Sequence, residues 1–219
     1  MSSILAAAQD HFNQNLPFAI WRNPNEKKVQ VLLQKDDYLH QIENFHEQGF
    51  AFAKFDARVS NFIPLAKSQY FKEEIAPFFI SNEIINNTTD LNEKEAFEEL
   101  VKKAKETINH GVFDKVVLSR EEILDFELDL FGTFQNLLHK YPTAFCSLWF
   151  HPKVGCWMGA TPEQLVKIEG QTVKTVALAG TQKQDLPQSV VWTNKEVQEQ
   201  QFVTDYIVHQ LSQELYQIS

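Results

Sequence analysis

AFCSLWFHPKVGCWMGATPE occupies residues 144–163 and constrains the fold more than any other stretch of the chain. Two apolar and aromatic runs, 144–150 and 155–158, flank a turn that contains proline and glycine, a pattern that predicts two antiparallel strands. Further strands are predicted on either side of this pair, at 113–120, 164–168 and 172–178. A shorter helix is predicted at 130–140. The second half of the chain therefore predicts a mainly antiparallel meander with helices.

The remaining segments predict a sheet packed against helices. Strand patterns are found at 18–21, 29–33, 50–55 and 61–65, whereas 71–80 is ambiguous and 82–90 is a polar loop. Residues 91–110 have apolar side chains at helical spacing, with Asp90 suited to cap the helix and Gly111 suited to its C′ position. A last helix is predicted from residue 191 to the end of the chain. The fold class is α+β.

Composition and charge exclude several classes of protein. The net charge is −9 and no basic run is present, which argues against nucleic acid as a partner. The first ten residues have no positive region typical of a signal peptide, and no apolar run is long enough to cross a bilayer. Cys146 and Cys156 have no metal-type spacing and are predicted to be small core residues rather than redox groups. These features predict a soluble cytoplasmic protein that does not contact membranes.

Lys115 lies in a segment that is apolar on both faces, Phe113-Asp114-Lys115-Val116-Val117-Leu118-Ser119-Arg120. Such a pattern favours a central strand. A lysine there must pair with an acid, extend to an edge, or give up its proton. The last outcome would make it a general base.

Two further motifs suit an anionic ligand. Glu163 ends the turn Gly159-Ala160-Thr161-Pro162-Glu163, and it could donate a proton or simply be an exposed residue that starts a strand. The segment Ala177-Leu178-Ala179-Gly180-Thr181 could hold a carboxylate with its backbone N–H groups and the Thr181 hydroxyl. It could equally be a turn at a strand end.

Glu196 and Glu199 lie three residues apart and share one face of the last predicted helix. Pairs of this kind are commonly solvated surface. The alternative is a site for a hard cation, since Mg²⁺ takes one or two carboxylates together with water and substrate oxygens.

Four separated segments resemble the chorismate-binding enzymes, in the order in which that family has them. They are the Lys115 segment, the segment ending at Glu163, the segment 175–181, and the helix that contains Glu199. The resemblance implies an α+β fold like that of anthranilate synthase component I, with two facing, mainly antiparallel sheets flanked by helices. It implies a single domain over 1–219, with a variable half at 1–90 and the motifs at 91–219.

With a lysine at position 115 the chain resembles the isochorismate synthase branch of the family, whose members have a lysine there and use water as the nucleophile. Relatives that use ammonia typically have glutamine there, and they usually read Pro-Ile-x-Gly-Thr where this chain has Ala177 to Thr181. The resemblance implies that Lys115 takes a proton from water attacking ring C2 of chorismate. Glu163 would protonate the departing C4 hydroxyl. Mg²⁺, held partly by Glu199, would bind the ring carboxylate.

The chain lacks segments with which the family continues beyond the last helix, among them a second metal-binding glutamate. We therefore expect a truncated form with an incomplete fold and site, and self-association through the sheet edge that truncation exposes. A salicylate- or anthranilate-type enzyme is the alternative activity. A catalytically silent domain that acts by binding is the alternative class. The sequence does not choose among menaquinone, siderophore and salicylate pathways.

Overall fold

The computed structural model describes residues 3–42, 44, 46–55, 59–75, 91–124, 127–182 and 191–213. They form two compact units, and the first comprises the described residues of 1–83 and 126–164. The second comprises those of 84–125 and 165–219. Each unit is described by itself.

The first unit contains two helices, eight strands and a short 3-10 helix among its described residues. They are α1 Ser3–Asn13, β1 Phe18–Arg22, β2 Lys28–Gln34, β3 His40–Ile42, β4 Gly49–Phe52, β5 Ser60–Pro64, the 3-10 helix Leu65–Lys67, β6 Ser68–Glu74, α3 Leu130–Lys140, β7 Phe145–His151 and β8 Gly155–Thr161. The helix α2, at Leu91–Asn109, belongs to the second unit.

A five-stranded antiparallel sheet forms the centre of the first unit, in the order β6-β2-β1-β7-β8. Strand β1 is the central strand, since Ile20 pairs with Val31 on one side and with Leu148 on the other. Its residues are therefore almost all buried. The hairpin β7–β8 closes through a turn that ends at Gly155, whose φ of 119° disfavours other residues. The hairpin predicted from residues 144–163 is confirmed.

The sheet is apolar on both faces, since successive side chains of a strand point in opposite directions. Phe18 and Ile20 lie in the larger core with residues of α1 and α3. Ala19 lies on the other face with Trp149 and with Ile63 of β5. A three-stranded sheet, β3-β5-β4, contributes to this second core.

Helix α3 has the bounds that the sequence predicts, and both ends are capped. The Asp129 side chain accepts a hydrogen bond from the Gly132 backbone N–H at the start of the helix. At the other end the buried Arg22 guanidinium donates to the carbonyls of Leu138 and Tyr141. These bonds satisfy backbone groups that a helix end otherwise leaves unpaired.

The second unit contains α2, a two-stranded hairpin and a last helix among its described residues: β9 Lys167–Glu169, β10 Thr172–Lys174 and α4 Asn194–Ser212. None of the residues 93–124, 165–182 and 191–213 of this unit is buried. Its described apolar side chains are half-exposed or exposed. Val117, Ile123 and Leu165 are among the exposed ones.

Several predictions are confirmed and others are wrong. The strands predicted at 18–21, 29–33 and 61–65 and the helix at 91–110 are present. Helix α1 was not predicted, and Cys156 is exposed rather than in the core, because β8 is an outer strand of its sheet. Asp90 and residues 76–90 lie outside the described residues. In the part of the chain that the structure describes, no helix combines the length and apolarity needed to cross a membrane.

Candidate functional site

The segment that carries Lys115 follows directly from the end of α2. Gly111 has a φ of 69°, its N–H donates to Ile108 O at 2.9 Å, and the Val112 N–H donates to Thr107 O at 3.3 Å. This pair of bonds is a Schellman motif, which ends the helix and fixes the direction of the chain that leaves it. The prediction of Gly111 at the C′ position is confirmed.

The prediction of a central strand at 113–120 is wrong, because this segment forms no strand. A central strand needs a hydrogen-bonded neighbour on each side. The strands described in the second unit, β9 and β10, pair only with each other. The segment is not shielded by neighbouring strands, and the Val117 side chain is 82% exposed.

Arg120 connects the end of this segment to α2. Its guanidinium lies 3.3 Å from a carboxylate oxygen of Glu93 and 2.7 Å from one of Glu122. Both contacts are solvent-exposed, so each contributes little free energy. The Glu93 contact places the end of this segment beside the first turn of α2.

Lys115 and Glu199 form an ion pair, with 3.0 Å between Nζ and Oε1. Their side chains are 26% and 30% exposed, so the contact is partly shielded from water. Of the three outcomes considered for Lys115 from sequence, the structure has the lysine paired with an acid. Two of the predicted site residues, distant in sequence, are thereby neighbours within one unit.

Helix α4 positions Glu199, and a capping box defines the start of this helix. The Thr193 hydroxyl accepts from the Glu196 N–H at 3.4 Å, and the Glu196 carboxylate accepts from the Thr193 N–H at 2.7 Å. The hydrogen bond from the Thr193 backbone lowers the pKa of the Glu196 carboxyl. Glu196 therefore serves the helix end, and of the pair Glu196 and Glu199 only the second faces Lys115.

The segment Ala177-Leu178-Ala179-Gly180-Thr181 forms no helix or strand and lies near the start of α4. Gly180 has a φ of 67°, and a side chain added there would lie 3.6 Å from the Trp192 ring. The next residue, Gln182, donates from its amide to the Glu196 carboxylate at 3.1 Å. Only part of the strand predicted at 172–178 is present, because β10 ends at Lys174.

Glu163 belongs to the first unit and lies two residues beyond the end of β8. Its side chain is exposed, and its N–H donates to the Thr161 hydroxyl at 3.2 Å. This hydrogen bond, together with the fixed φ of Pro162, holds the turn. The exposure agrees with the view of Glu163 as a surface residue, and the proton-donor role stays a prediction.

A family model described as "Chorismate binding enzyme" matches residues 27–219, which include every motif considered above. This chain belongs to the chorismate-binding enzymes. The family resemblance predicted from the four segments is confirmed, as is the expectation of an α+β arrangement of antiparallel sheets and helices.

Several curated relatives matched by this family member are named anthranilate synthase component 1. That of Lactococcus lactis is 36% identical over 94 residues, which is 41% of this chain and 20% of the relative. That of Archaeoglobus fulgidus is 30% identical over 92 residues, 42% of this chain and 22% of the relative. That of Thermococcus kodakarensis is 32% identical over 100 residues, 46% of this chain and 22% of the relative.

The chain thus spans about a fifth of the length of the curated relatives it matches. No solved structure gives a significant match.

The residues described for this chorismate-binding chain do not fit a Mg²⁺ site as they stand. Among them no three histidine, cysteine, aspartate or glutamate side chains are grouped closely enough to hold a metal ion. Glu199 is the one predicted ligand, and its carboxylate already contacts the Lys115 ammonium. A single carboxylate with water holds Mg²⁺ weakly.

Two parts of the site were not predicted from the sequence. The Thr193-x-x-Glu196 spacing is the known signature of a capping box and could have marked the start of α4. The Gln182 contact with Glu196 has no local signal, since it depends on how the segment 177–182 runs past the helix.

Proposed function

We propose that this chain carries an isochorismate synthase site, which converts chorismate to isochorismate by adding water at ring C2 with loss of the C4 hydroxyl. Chorismate as the ligand follows from the family. The family does not specify the nucleophile. We infer water rather than ammonia from the lysine at position 115.

The observation that carries the proposal is a lysine at position 115 whose ammonium group contacts Glu199. In an ammonia-using relative, a glutamine at this position would have neither a positive charge nor a basic amine to offer. The contact also supports a shared site, because it brings together two residues from separate motifs. A proton acceptor must lie beside the groups that hold the substrate.

The chemistry balances with two groups of the chain. Lys115 must first separate from Glu199 and give up its ammonium proton to solvent, and the amine then accepts a proton from water while the water oxygen bonds to C2. The ring double bond moves, and the bond between C4 and its hydroxyl oxygen breaks. Glu163, in its protonated form, gives the proton that makes the leaving group water. One water enters and one leaves, so the reaction is an isomerisation.

The segment Ala177 to Thr181 is proposed to bind a substrate carboxylate. Because the segment belongs to no helix or strand, its backbone N–H groups are not used in a regular ladder, and such groups favour anions. The left-handed conformation at Gly180 and the Gln182 contact with Glu196 support a fixed shape for this segment. A binding segment of defined shape loses less entropy when the ligand binds.

The resemblance also implies further expectations that belong to this proposal. They are a Mg²⁺ requirement with Glu199 as one ligand, which the described residues alone do not meet, two large facing sheets in one domain over 1–219, and self-association through an exposed sheet edge. Strands β6 and β8 are the outer strands of the five-stranded sheet and provide such edges.

The test is to incubate the chain with chorismate and Mg²⁺ and to separate the products by chromatography. Isochorismate formation by the wild-type chain would support the proposal, and Lys115→Gln and Glu163→Gln should then each lose about 10²-fold or more in turnover. Lys105→Gln is the matched control, since it removes a lysine from the surface of α2 and should leave turnover unchanged. Undiminished isochorismate formation by either site variant would refute its role.

Anthranilate formation is the second candidate activity, favoured by the names of the matched relatives. It is tested by repeating the incubation with ammonium ion and following anthranilate, salicylate and pyruvate. Anthranilate without isochorismate would establish it in place of the first proposal. Chorismate binding is measured by the change in tryptophan fluorescence. Binding without any product would instead indicate a silent binding domain.

A further inference from the structure

A cavity of about 420 Å³ in the first unit is lined by residues of α3 and of the strands β1, β2 and β6. Its volume is in the range of sites for small organic molecules. None of its lining residues belongs to the four family motifs. Two of them, Arg22 and Gln135, are polar and only 7% exposed. Buried polar groups normally have partners, so these two side chains indicate what the cavity can hold.

The Arg22 guanidinium has only neutral partners. Its N–H groups donate to the carbonyls of Leu138, Tyr141 and Ala144, and Nη2 lies 3.5 Å from Cys146 Sγ. Burial raises the pKa of the Cys146 thiol, so this neighbour is uncharged. Within the described ranges Arg22 forms no ion pair with a carboxylate, and its Nε–H is buried without a hydrogen bond. A nearby anion would stabilise this buried charge.

The Gln135 amide is the second group without a partner. It makes no hydrogen bond to any residue that the structure describes. Neither its oxygen nor its nitrogen is completely covered by protein, so the amide is open to the cavity that it lines. An amide NH₂ group donates to a carboxylate, and such a bond is strengthened by the charge of the acceptor.

The rest of the wall is apolar, and the charges at the rim nearly cancel. Val29 and Leu138 are 1% and 7% exposed and form part of the apolar wall. At the rim Lys27 and Glu74 are exposed and have opposite charges. A second rim carboxylate, that of Glu26, is paired with a lysine of β6. A ligand therefore gains from one negative charge at its buried end and from an apolar body, but not from a second negative charge outside.

We propose that this cavity binds a small organic monocarboxylate with an apolar body. The carboxylate accepts a hydrogen bond from the Gln135 amide and supplies the anion that Arg22 lacks, while the body packs against Val29 and Leu138. The site is independent of the proposed chemistry, because Lys115 and Glu199 belong to the second unit.

The experiment is a titration of the isotope-labelled 219-residue chain with sodium benzoate. It follows the nuclear magnetic resonance signals of the Arg22 Nε–H and of the Gln135 side-chain amide. We expect both signals to shift and to saturate, with a Kd on the order of 1 mM for a ligand of this size. No conversion of chorismate is involved, so the result does not depend on the proposed activity.

Three further probes test the chemical class of the ligand. Benzamide has the same ring without the charge, inorganic phosphate has charge without an apolar body, and isophthalate adds a second carboxylate. Each should bind at least about fivefold more weakly than benzoate, because each lacks a feature that the cavity matches or adds one that it does not.

Gln135 is the residue to vary, because Arg22 also holds the end of α3. Gln135→Leu removes the amide and should weaken benzoate binding about tenfold, since a hydrogen bond to a charged group is lost. Gln135→Glu places a carboxylate in the cavity beside Arg22, and benzoate binding should be lost. Gln69→Leu is the matched control, because Gln69 is an exposed glutamine of β6 outside the cavity. Its Kd should stay within about twofold of wild type.

The proposal is wrong if benzoate causes no saturating shift at Arg22 and Gln135, or if Gln135→Leu binds benzoate as tightly as wild type does. Equal binding of benzamide, phosphate or isophthalate would show that the cavity does not select a monocarboxylate with an apolar body, and would also overturn it. Circular dichroism checks that α3 is intact in each variant. Should Gln135→Leu lose helix content, Gln135→Met removes the same amide with a more flexible side chain.

Discussion

The two units of this molecule differ in what holds them together. The first has a five-stranded sheet with an apolar core on each face, and residues such as Phe18, Ile63 and Trp149 are almost completely buried. The second has no buried residue in its described parts, and what it shows instead are helix caps and ion pairs. Three of the four family motifs, all except the one ending at Glu163, lie in this second unit.

The difference indicates that most of the stability comes from the first unit, whereas most of the proposed site lies in the second. Apolar burial is the dominant favourable term in folding, so the first unit can be stable by its own packing. The second unit relies on local interactions that each contribute about 1 kcal/mol or less. Functional segments commonly come from the less stable parts of a protein.

The strongest test of this contrast is a large-to-small change in the core of the first unit. Phe18 is fully buried among the rings of Phe131 and Phe150, and we expect Phe18→Ala to lower the free energy of unfolding by about 3–5 kcal/mol. The measurement is urea unfolding followed by tryptophan fluorescence in a Trp192→Phe background. Trp192 is the single tryptophan of the second unit, so the remaining three report the first.

Phe55→Ala is the matched control, because the same side chain is fully exposed at that position in the same unit. It should change the free energy by no more than about 0.5 kcal/mol. In the second unit, Ile168→Ala should be equally mild, since Ile168 is 66% exposed. This variant is measured with Trp192 retained, because Trp192 is the tryptophan that reports the second unit. A loss of several kcal/mol from Ile168→Ala would show a core in the second unit and would break the contrast.

A smaller effect is expected from pH in the first unit. His151 is buried, and desolvation lowers its pKa below the ordinary 6.5 although the Tyr38 carbonyl opposes the shift. The folded state therefore binds fewer protons than the unfolded state between pH 6.5 and the lower pKa. The stability that His151 contributes is complete above that window and is lost as pH falls through it.

The slope from this one proton is at most about 1.4 kcal/mol per pH unit. It is measured by urea unfolding at a series of pH values for wild type and His151→Gln, again in the Trp192→Phe background. We expect the variant to lack this part of the slope. Identical pH profiles for the two proteins would contradict the assignment to His151.

The smallest effect concerns the helix cap of the second unit. Thr193→Ala removes the hydroxyl that accepts from the Glu196 N–H, and we expect it to make opening of the first turn of α4 easier by about 1 kcal/mol. Amide hydrogen exchange of α4 is the measurement, with the strands of the first unit as an internal reference. The effect should be confined to the second unit.

Thr204→Ala provides the control in the middle of the same helix. The Thr204 hydroxyl bonds to the Gln200 carbonyl and caps nothing, and alanine favours helix more than threonine does. Exchange from α4 should therefore be unchanged or slower. If both variants speed exchange equally, the capping box is not what stabilises the helix start.

Local signals predicted much of the fold. Helix α3 begins and ends where the sequence indicates, because its apolar spacing and the Asp129 cap act within a few residues. The hairpin β7–β8 was predicted for the same reason. Helix α1 was not predicted, although Ile4, Leu5 and Ala8 on one face are buried by the sheet.

The error at 113–120 shows the limit of such signals. Val116, Val117 and Leu118 have the composition of a buried strand, but a strand exists only if another segment offers its hydrogen bonds. In the site, the family and its candidate residues came from sequence, whereas the partner of Lys115 did not. The sequence left three outcomes open for Lys115: pairing with an acid, extension to an edge, or loss of its proton. The structure shows the first, because Glu199 lies beside it in space.

The sequence by itself determined the family, the helices α2, α3 and α4 and most strands of the sheets, because periodicity, caps and turns depend on residues close along the chain. Only the tertiary structure decided that Lys115 lies against Glu199, that Glu196 serves a helix cap instead, and that burial is confined to the first of the two units as described. The physical reason is that ion pairing and burial depend on distances in space, and segments far apart along the chain set those distances only when the whole chain has folded.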